Sequence, residues 1–329
     1  MMLRGRIGWV VLCVVLVAGV SARLLISRGL DGVLAFGWSP DAAAWRLGAV
    51  ASAVVAGAAL SLSGLLLQGM LRNPLASPFV LGLSGGAQAA VAIAFVLSWK
   101  VGAVFPSTMQ VPVGWLGAVT ALLLCVAFGH SRERGLDPIS LVLSGVVVAA
   151  MAGSVAALCE WMLPPGERMG LAAWSLGRIP EAPERGSLWA CVALLIGTMA
   201  LFQWKSSTLD ALQLGDDEAR SVGVHLSATR WAIVLLASAL AAGATSLCGP
   251  LAFVGLVAPH MARSMLGGSH RRTVLGSVIA GAALLVLADV ARSLIPVEGG
   301  RLPIGVVCAL AGGPAFLLLL RRGAAGVWR

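Results

Sequence analysis

The sequence predicts an all-α protein: a polytopic membrane bundle of about ten transmembrane helices, forming one domain over residues 1–329. Three observations carry that prediction. Apolar residues make up 59% of the chain and charged residues 11%, whereas a soluble domain runs near 45–50% and about 25%. So few charges cannot cover a water-facing surface, which excludes a soluble enzyme, and so much apolar content excludes a disordered chain. Ten apolar segments follow one another, most of them close to the roughly 20 residues a helix needs to cross a bilayer. The 41 glycines suit membrane helices, whose small residues let backbones approach closely. Tyr is absent, so the 11 tryptophans must supply the interfacial aromatics.

The first segment, about 7–27, is too long and too poorly followed by a cleavage site to be a signal peptide, and reads as a retained helix. Segment 45–70 runs into Gln68-Gly69-Met70-Leu71-Arg72-Asn73-Pro74-Leu75-Ala76-Ser77-Pro78-Phe79. There Asn73-Pro74, with Pro78 four residues on, forces a non-helical turn. The small residues Gly82-Leu83-Ser84-Gly85-Gly86 then open segment 79–99. Segments 111–128, 138–160 and 187–204 follow, the last two separated by the polar connection 161–186. Loop 205–228 comes next. Its stretch from Leu214 to Val224 is charge-rich and amphipathic with a glycine stop, a helix too short to be stable without a partner. Segment 229–248 follows the loop, and segment 250–266 is short and holds Pro259, His260 and Arg263, so it reads as a broken or partly inserted helix. Segments 273–295 and 302–320 complete the set.

Lys and Arg set the expected orientation. With the N-terminus in the cytoplasm, 14 of the 23 basic residues fall inside and 9 outside, and ten spans return the C-terminus to the cytoplasm. The net charge of +9 is therefore mostly a topology signal rather than a nucleic-acid footprint. The six cysteines are scattered without a CxxC pair and read as small buried hydrophobes.

The sequence has no HExxH, no GxxxxGK[ST] and no paired carboxylates on one helix. The four histidines are not spaced as metal ligands, so no metal site is expected. Without a phosphate-binding loop the chain cannot hydrolyse ATP by the usual route, and it reads as no enzyme. Four stretches remain. The turn around Asn73 and Leu75 reads either as a tight helix connection or as the mouth of a pathway. Residues 214–224 read either as a solvated surface helix or as a partner-binding one. His260, in the apolar run Gly255–Arg263, reads as a hydrogen-bonded structural group. Asp289 and Arg292 lie i,i+3 near the end of a span, a spacing that allows an ion pair.

Taken in order, these stretches resemble the permease subunits of ABC importers for iron-siderophores, haem and cobalamin, the type II importer permeases. The recurring Gln-Gly…Asn-Pro-Leu-Ala…Pro…Leu-Gly…Ser-Gly-Ala run of that family reads here from Gln68 to Ala87, with Gly86 extra. Gly-Leu-Val-x-Pro-His-x-x-Arg matches Gly255 to Arg263, and the basic turn that follows matches His270-Arg271-Arg272. Ala288 to Arg292, Leu302 to Val306 and Gly313-Pro314-Ala315-Phe316 match the closing strings.

The resemblance implies a subunit that pairs with a second copy or a close paralogue, with the translocation path between them. It implies two ABC ATPase subunits on the cytoplasmic face, a periplasmic binding protein, and a place in the bacterial inner membrane. This chain would itself bind no cofactor, ATP and Mg being held by the ATPase. Asp217, Glu218, Ala219, Arg220 and Gly223 become the ATPase-coupling segment, and Asn73 and Leu75 the cytoplasmic gate. Pro74, Gly255, Pro259, His260, Arg263 and Asp289 become structural motif positions. Arg46, Arg292, Glu298 and Arg301 become binding-protein docking residues, although the sequence departs from the family here. Arg46-Leu47-Gly48-Ala49 stands where Arg-Leu-Pro-Arg is common, and Arg301 where Glu is common. The expected cargo is a metal chelate, with an iron-siderophore favoured and haem and cobalamin open. An ion-coupled secondary transporter is the alternative. It calls for acids at mid-membrane, whereas the acids here lie mostly in loops.

Overall fold

The apolar segments fold largely as helix. The computed structural model describes residues 2–28, 34–131, 135–296 and 301–323. Its helices run in order α1 (Met2–Leu25), α2 (Pro40–Leu71), α3 (Leu83–Lys100), α4 (Ser107–Gly129), α5 (Pro138–Met162), α6 (Pro165–Ser175), α7 (Arg185–Trp204), α8 (Ser206–Leu214), α9 (Asp216–Ser221), α10 (Leu226–Cys248), α11 (Val254–Leu266), α12 (His270–Leu294) and α13 (Ile304–Gly323). A single 3-10 turn, Pro78–Leu81, stands between α2 and α3.

Eight of these helices, namely α1, α2, α3, α4, α5, α7, α10 and α12, are long and apolar enough to cross a membrane. The two other expected spans are shorter. In α13 the apolar stretch is Ile304–Leu318. α11 has 13 residues, about 20 Å of helix, less than the roughly 30 Å of a bilayer core. The expectation of a broken helix holds there: residues 249–253 are non-helical, and Gly249 (φ 75°) and Phe253 (φ 66°) both have positive φ.

Four features lie beyond the sequence reading. α6 forms inside the connection 161–186, opening on Pro165 and burying Leu171 and Trp174. α8 precedes the expected short helix and buries Leu209, Ala211 and Leu212. Two small hairpins join helix ends, pairing Ile26–Arg28 with Leu34–Phe36 and His130–Ser131 with Gly135–Leu136. All four are too short for periodicity to declare them.

α2 is the axis of the bundle. It is buried along most of its length between α10, α11 and α12. Two glycine contacts set the spacing. A Cβ on Gly57 would stand 2.3 Å from the Gly281 carbonyl oxygen of α12, and one on Gly64 would stand 1.7 Å from the Gly255 carbonyl oxygen of α11. The small residues thus let three backbones touch, as membrane helices do where hydrophobicity alone gives no drive to associate. Ser63 adds a hydrogen bond from its hydroxyl to the Ala237 carbonyl of α10 (2.6 Å). Of the six cysteines, Cys125, Cys159, Cys248 and Cys308 are buried, Cys191 is half-buried and Cys13 is exposed on α1.

Candidate functional site

At one end of the bundle α2 stops because Pro74 cannot continue it. Arg72 closes the helix in the left-handed region (φ 47°, ψ 31°), its N–H donating to the Gln68 carbonyl. Asn73 then folds the next residues back: its Oδ1 accepts from the Leu75 N–H at 2.9 Å, an Asx turn of the kind Asn favours. Leu75 is left 44% exposed. The two expected gate positions therefore sit on a short, internally bonded turn at the bundle surface.

The expected coupling segment lies against the same turn. Gly215 (φ 152°) breaks the chain between α8 and α9, and Gly223 (φ 85°) ends α9. Both conformations favour glycine. The Gly223 N–H donates to the Arg220 carbonyl (2.9 Å) and the Val224 N–H to the Ala219 carbonyl (2.9 Å). Ala219 is buried, whereas Asp217, Glu218 and Arg220 face outward. Arg220 and Asp217 form a loose pair at 3.4 Å.

The acidic run Asp216-Asp217-Glu218 divides by direction. Asp216 turns inward, where both of its oxygens accept from Arg230 Nη2 (2.9 and 2.8 Å) and one also accepts from Arg72. Partial burial pushes the Asp216 carboxyl up, but the hydrogen bonds and charges of Arg230 and Arg72 outweigh it, and its pKa ends below the ordinary aspartate value. Sequence reasoning missed Arg72, Asp216 and Arg230 as a set, because they lie 14 to 158 positions apart and join only through the fold. Arg72 also donates to the Leu212 carbonyl at 2.6 Å.

The Gly255–Arg263 motif packs behind this assembly. Gly255 lies against α2 and the 3-10 turn, a Cβ there standing 2.7 Å from the Leu60 carbonyl oxygen and 3.0 Å from Pro78 Cδ. Pro259 is buried within α11. His260 and Arg263 line a cavity of about 370 Å³ together with Gln68, Arg72 and Pro74. The Nε and Nη2 of Arg263 are shielded and meet no acceptor among the described residues. Nearby, His270 Nδ1 lies 2.7 Å from Asp210 Oδ1.

The opposite end carries the expected docking residues, and two of them are not presented there. Arg46 is buried: its Nη1 donates to the Leu24 and Gly37 carbonyls (2.6 Å each) and its Nη2 to Ser27 Oγ (2.7 Å). It thus holds the hairpin of residues 26–36 onto α1 and α2. Arg292 is buried as well, donating from Nε to Asp289 Oδ1 (2.5 Å). Asp289 is fully buried and also accepts from Arg23 Nε (2.5 Å). Arg23 reaches on to Glu181 (3.1 Å), which is shared with Arg301. Arg301 is partly buried, and its Nε donates to the Arg28 carbonyl (3.0 Å). Glu298 lies outside the described residues.

The local departure from the family string has a physical basis. A Cβ at Gly48 would stand 1.9 Å from the Glu181 carbonyl oxygen, and Ala49 is fully buried. Neither position has room for the proline or the arginine of the common pattern. Asp289 and Arg292 do pair as their spacing allows. Arg23, Glu181 and Arg301 are the partners that the local spacing could not reveal.

The chain is similar to known proteins over most of its length. The profile of the FecCD transport family fits residues 8–322. The hemin transport system permease protein HmuU of Yersinia pestis is 33% identical over 282 residues, covering 84% of this chain and 82% of that protein. The Fe(3+) dicitrate transport system permease protein FecD of Escherichia coli is 36% identical over 289 residues, covering 84% of each. A solved structure described as a metal-chelate type ABC transporter in an inward-facing conformation superposes with a TM-score of 0.81, at 24% identity over 94% of this chain and 97% of that one. That last likeness is one of fold.

Proposed function

The chain belongs to the FecCD transport family and is a permease of the ABC-importer kind; from that premise we propose that its cargo is an iron chelate, a siderophore complex ahead of haem. The observation that carries the reading is the family match across nearly the whole chain, residues 8–322. Relatives named for Fe(3+) dicitrate and for hemin support the cargo class. A permease of this kind works with an ATPase and a substrate-binding protein.

In the finer reading, two copies pair, each carrying one ATPase subunit in the cytoplasm, in the inner membrane of a bacterium. ATP and Mg belong to those ATPases. Asp217, Glu218, Ala219, Arg220 and Gly223 seat in the ATPase, and Asn73 and Leu75 line the inner mouth of the path. The outward face of α9 supports this, because three charged side chains are exposed on a helix bracketed by glycines. A pathway between two copies is also consistent with α5, whose apolar Ile139, Leu143, Met151 and Leu158 are exposed. Docking of a binding protein at the opposite end falls to the partly exposed Arg301 and to Glu298, while Arg46 and Arg292 act from inside. The fully buried Asp289, paired with two guanidinium groups, is poorly suited to bind and release a coupling ion.

Uptake into proteoliposomes tests this reading. The chain is reconstituted with a partner ATPase and binding protein, and ferric dicitrate, a ferric hydroxamate, hemin and cobalamin are offered in turn. ATP-dependent uptake of an iron chelate is expected. Uptake driven by an ion gradient without ATP would overturn it. Glu218→Lys is expected to abolish uptake while the permease still inserts, and normal uptake would remove the coupling assignment.

A further inference from the structure

One carboxylate at the Asn73 end is shared by three elements. Asp216, the first residue of α9, accepts from Arg72 at the end of α2 and from Arg230 on α10. Arg72 stands immediately before the Asn73–Leu75 turn. Its backbone is left-handed, a conformation that costs a non-glycine residue about 1 kcal/mol or more and persists where surroundings hold it. Its guanidinium is held twice, by Asp216 and by the Leu212 carbonyl of α8 at 2.6 Å. The glycines at 215 and 223 flank α9 on both sides, and no atom lies within 4 Å of where a Cβ on Gly223 would stand. α9 is thus set off at both ends by glycines in backbone conformations that other residues rarely adopt.

We propose that the Arg72–Asp216 contact is the link by which a shift of α9 reaches the Asn73–Leu75 turn, with Arg72 and Asp216 as positioning residues and Arg230 as the anchor about which α9 pivots. The proposal rests on reading residues 217–223 as the ATPase-coupling segment and Asn73 and Leu75 as the gate. Its physical content is directness. The pair is more than a third exposed and by itself worth about 1 kcal/mol or less, but Asp216 is also held by Arg230 and Arg72 by the Leu212 carbonyl, so a displacement of α9 must either carry Arg72 along or break the contact. Arg72 is covalently next to Asn73, and the Asx turn makes 73–75 one small unit. No intervening packing has to relay the movement. The outward charges Asp217, Glu218 and Arg220 meet the partner, whereas Asp216 faces the opposite way. One six-residue helix thus touches the force on one side and the gate on the other.

The test uses the assembled transporter with its ATPase and binding protein in lipid discs. A spin label is placed at Leu75→Cys in a Cys13→Ser background, and its spectrum is compared before ATP and in the ATP-vanadate trapped state, normalised to assembled complex. The parent is expected to show an ATP-driven change. Arg72→Gln and Asp216→Asn are each expected to reduce its amplitude about five-fold or more, the scale of a modest coupling energy. The double variant should be no lower than the weaker single, as for two partners of one interaction. Arg72→Lys, which keeps the charge, should recover part of the amplitude.

An undiminished change in either single variant, or independent additive losses, would overturn the proposal. So would a mere fall in the yield of assembled complex with the amplitude per complex intact, because that is the mark of a clamp that only stabilises the fold. Two results would instead remove the reading beneath it: a label at residue 75 that does not respond even in the parent, and a Glu218→Lys complex that retains its ATPase and normal uptake.

Discussion

Asp289 shows how a single buried charge organises one end of the molecule. Its carboxylate is fully buried and accepts at 2.5 Å from each of Arg23 and Arg292. Removing one member of such a set leaves the remainder buried and uncompensated, which costs about 3–5 kcal/mol. Asp289→Ala is therefore expected to lower the unfolding temperature of the purified permease in detergent, with Asp289→Asn giving a smaller loss. An unchanged transition would mean that water solvates the two guanidinium groups. Asp216 gives a second residue-scale expectation, with a definite sign. Its pKa is lowered in the folded protein, so the stability it lends is present above the ordinary aspartate range and is lost as pH falls through the lowered value. A spin label at Ser221 should remain immobile through the ordinary aspartate range and gain mobility only at lower pH. Asp216→Asn should abolish that pH dependence. At this scale the sequence was only partly readable: the i,i+3 pair of Asp289 and Arg292 was visible, but Arg23, 266 positions away, was not. Arg46 looked like a docking charge because it stands where the first arginine of the common string does. Its burial under a hairpin that periodicity cannot reveal turns it into a structural donor.

At the scale of elements, the short broken segment is the most telling. α11 needs residues 249–253 to descend without helix, and it needs Gly255 to meet α2. Gly255→Val would push side-chain atoms into the Leu60 carbonyl and Pro78. Overpacking of this kind costs about 1–3 kcal/mol, and here it would also separate α2 from α11. The expected result is a permease that inserts but is cleaved rapidly by protease near residues 72–77, with Gly255→Ala milder. Equal protease resistance would show that α11 can shift without consequence. The sequence signalled the break through Pro259 and the shortness of the run. It could not signal that the glycine at 255 and the glycine at 64 face each other, since that contact is made between helices 191 positions apart. α8 escaped notice for a different reason: nine residues span too few turns for an apolar stripe to stand out.

For the whole molecule, the arrangement of charge predicts orientation. The end that carries α8, α9 and the Asn73 turn is expected in the cytoplasm, and the end that carries Glu181 and Arg301 outside. Asp217, 94% exposed in its side chain, and Ala182, exposed at the other end, are suitable reporters in a Cys13→Ser background. A membrane-impermeant thiol reagent should label Ala182→Cys when the outer surface is accessible, and Asp217→Cys only after the inner membrane is opened. The reverse pattern would invert the topology and with it the side on which ATP acts.

The sequence by itself determined the class of this protein. Apolar content, the order of ten segments and a set of ordered motifs are properties of a linear string, because membrane burial is decided segment by segment and each helix satisfies its own backbone. The tertiary structure alone decided which charges are tools and which are struts. It turned Asp216 inward and left Asp217 and Glu218 outward, buried Arg46 and Arg292 where two exposed arginines were expected, and brought Arg72 against α9. Those outcomes depend on contacts between residues far apart in the chain, where direction and distance in space have no counterpart in sequence spacing.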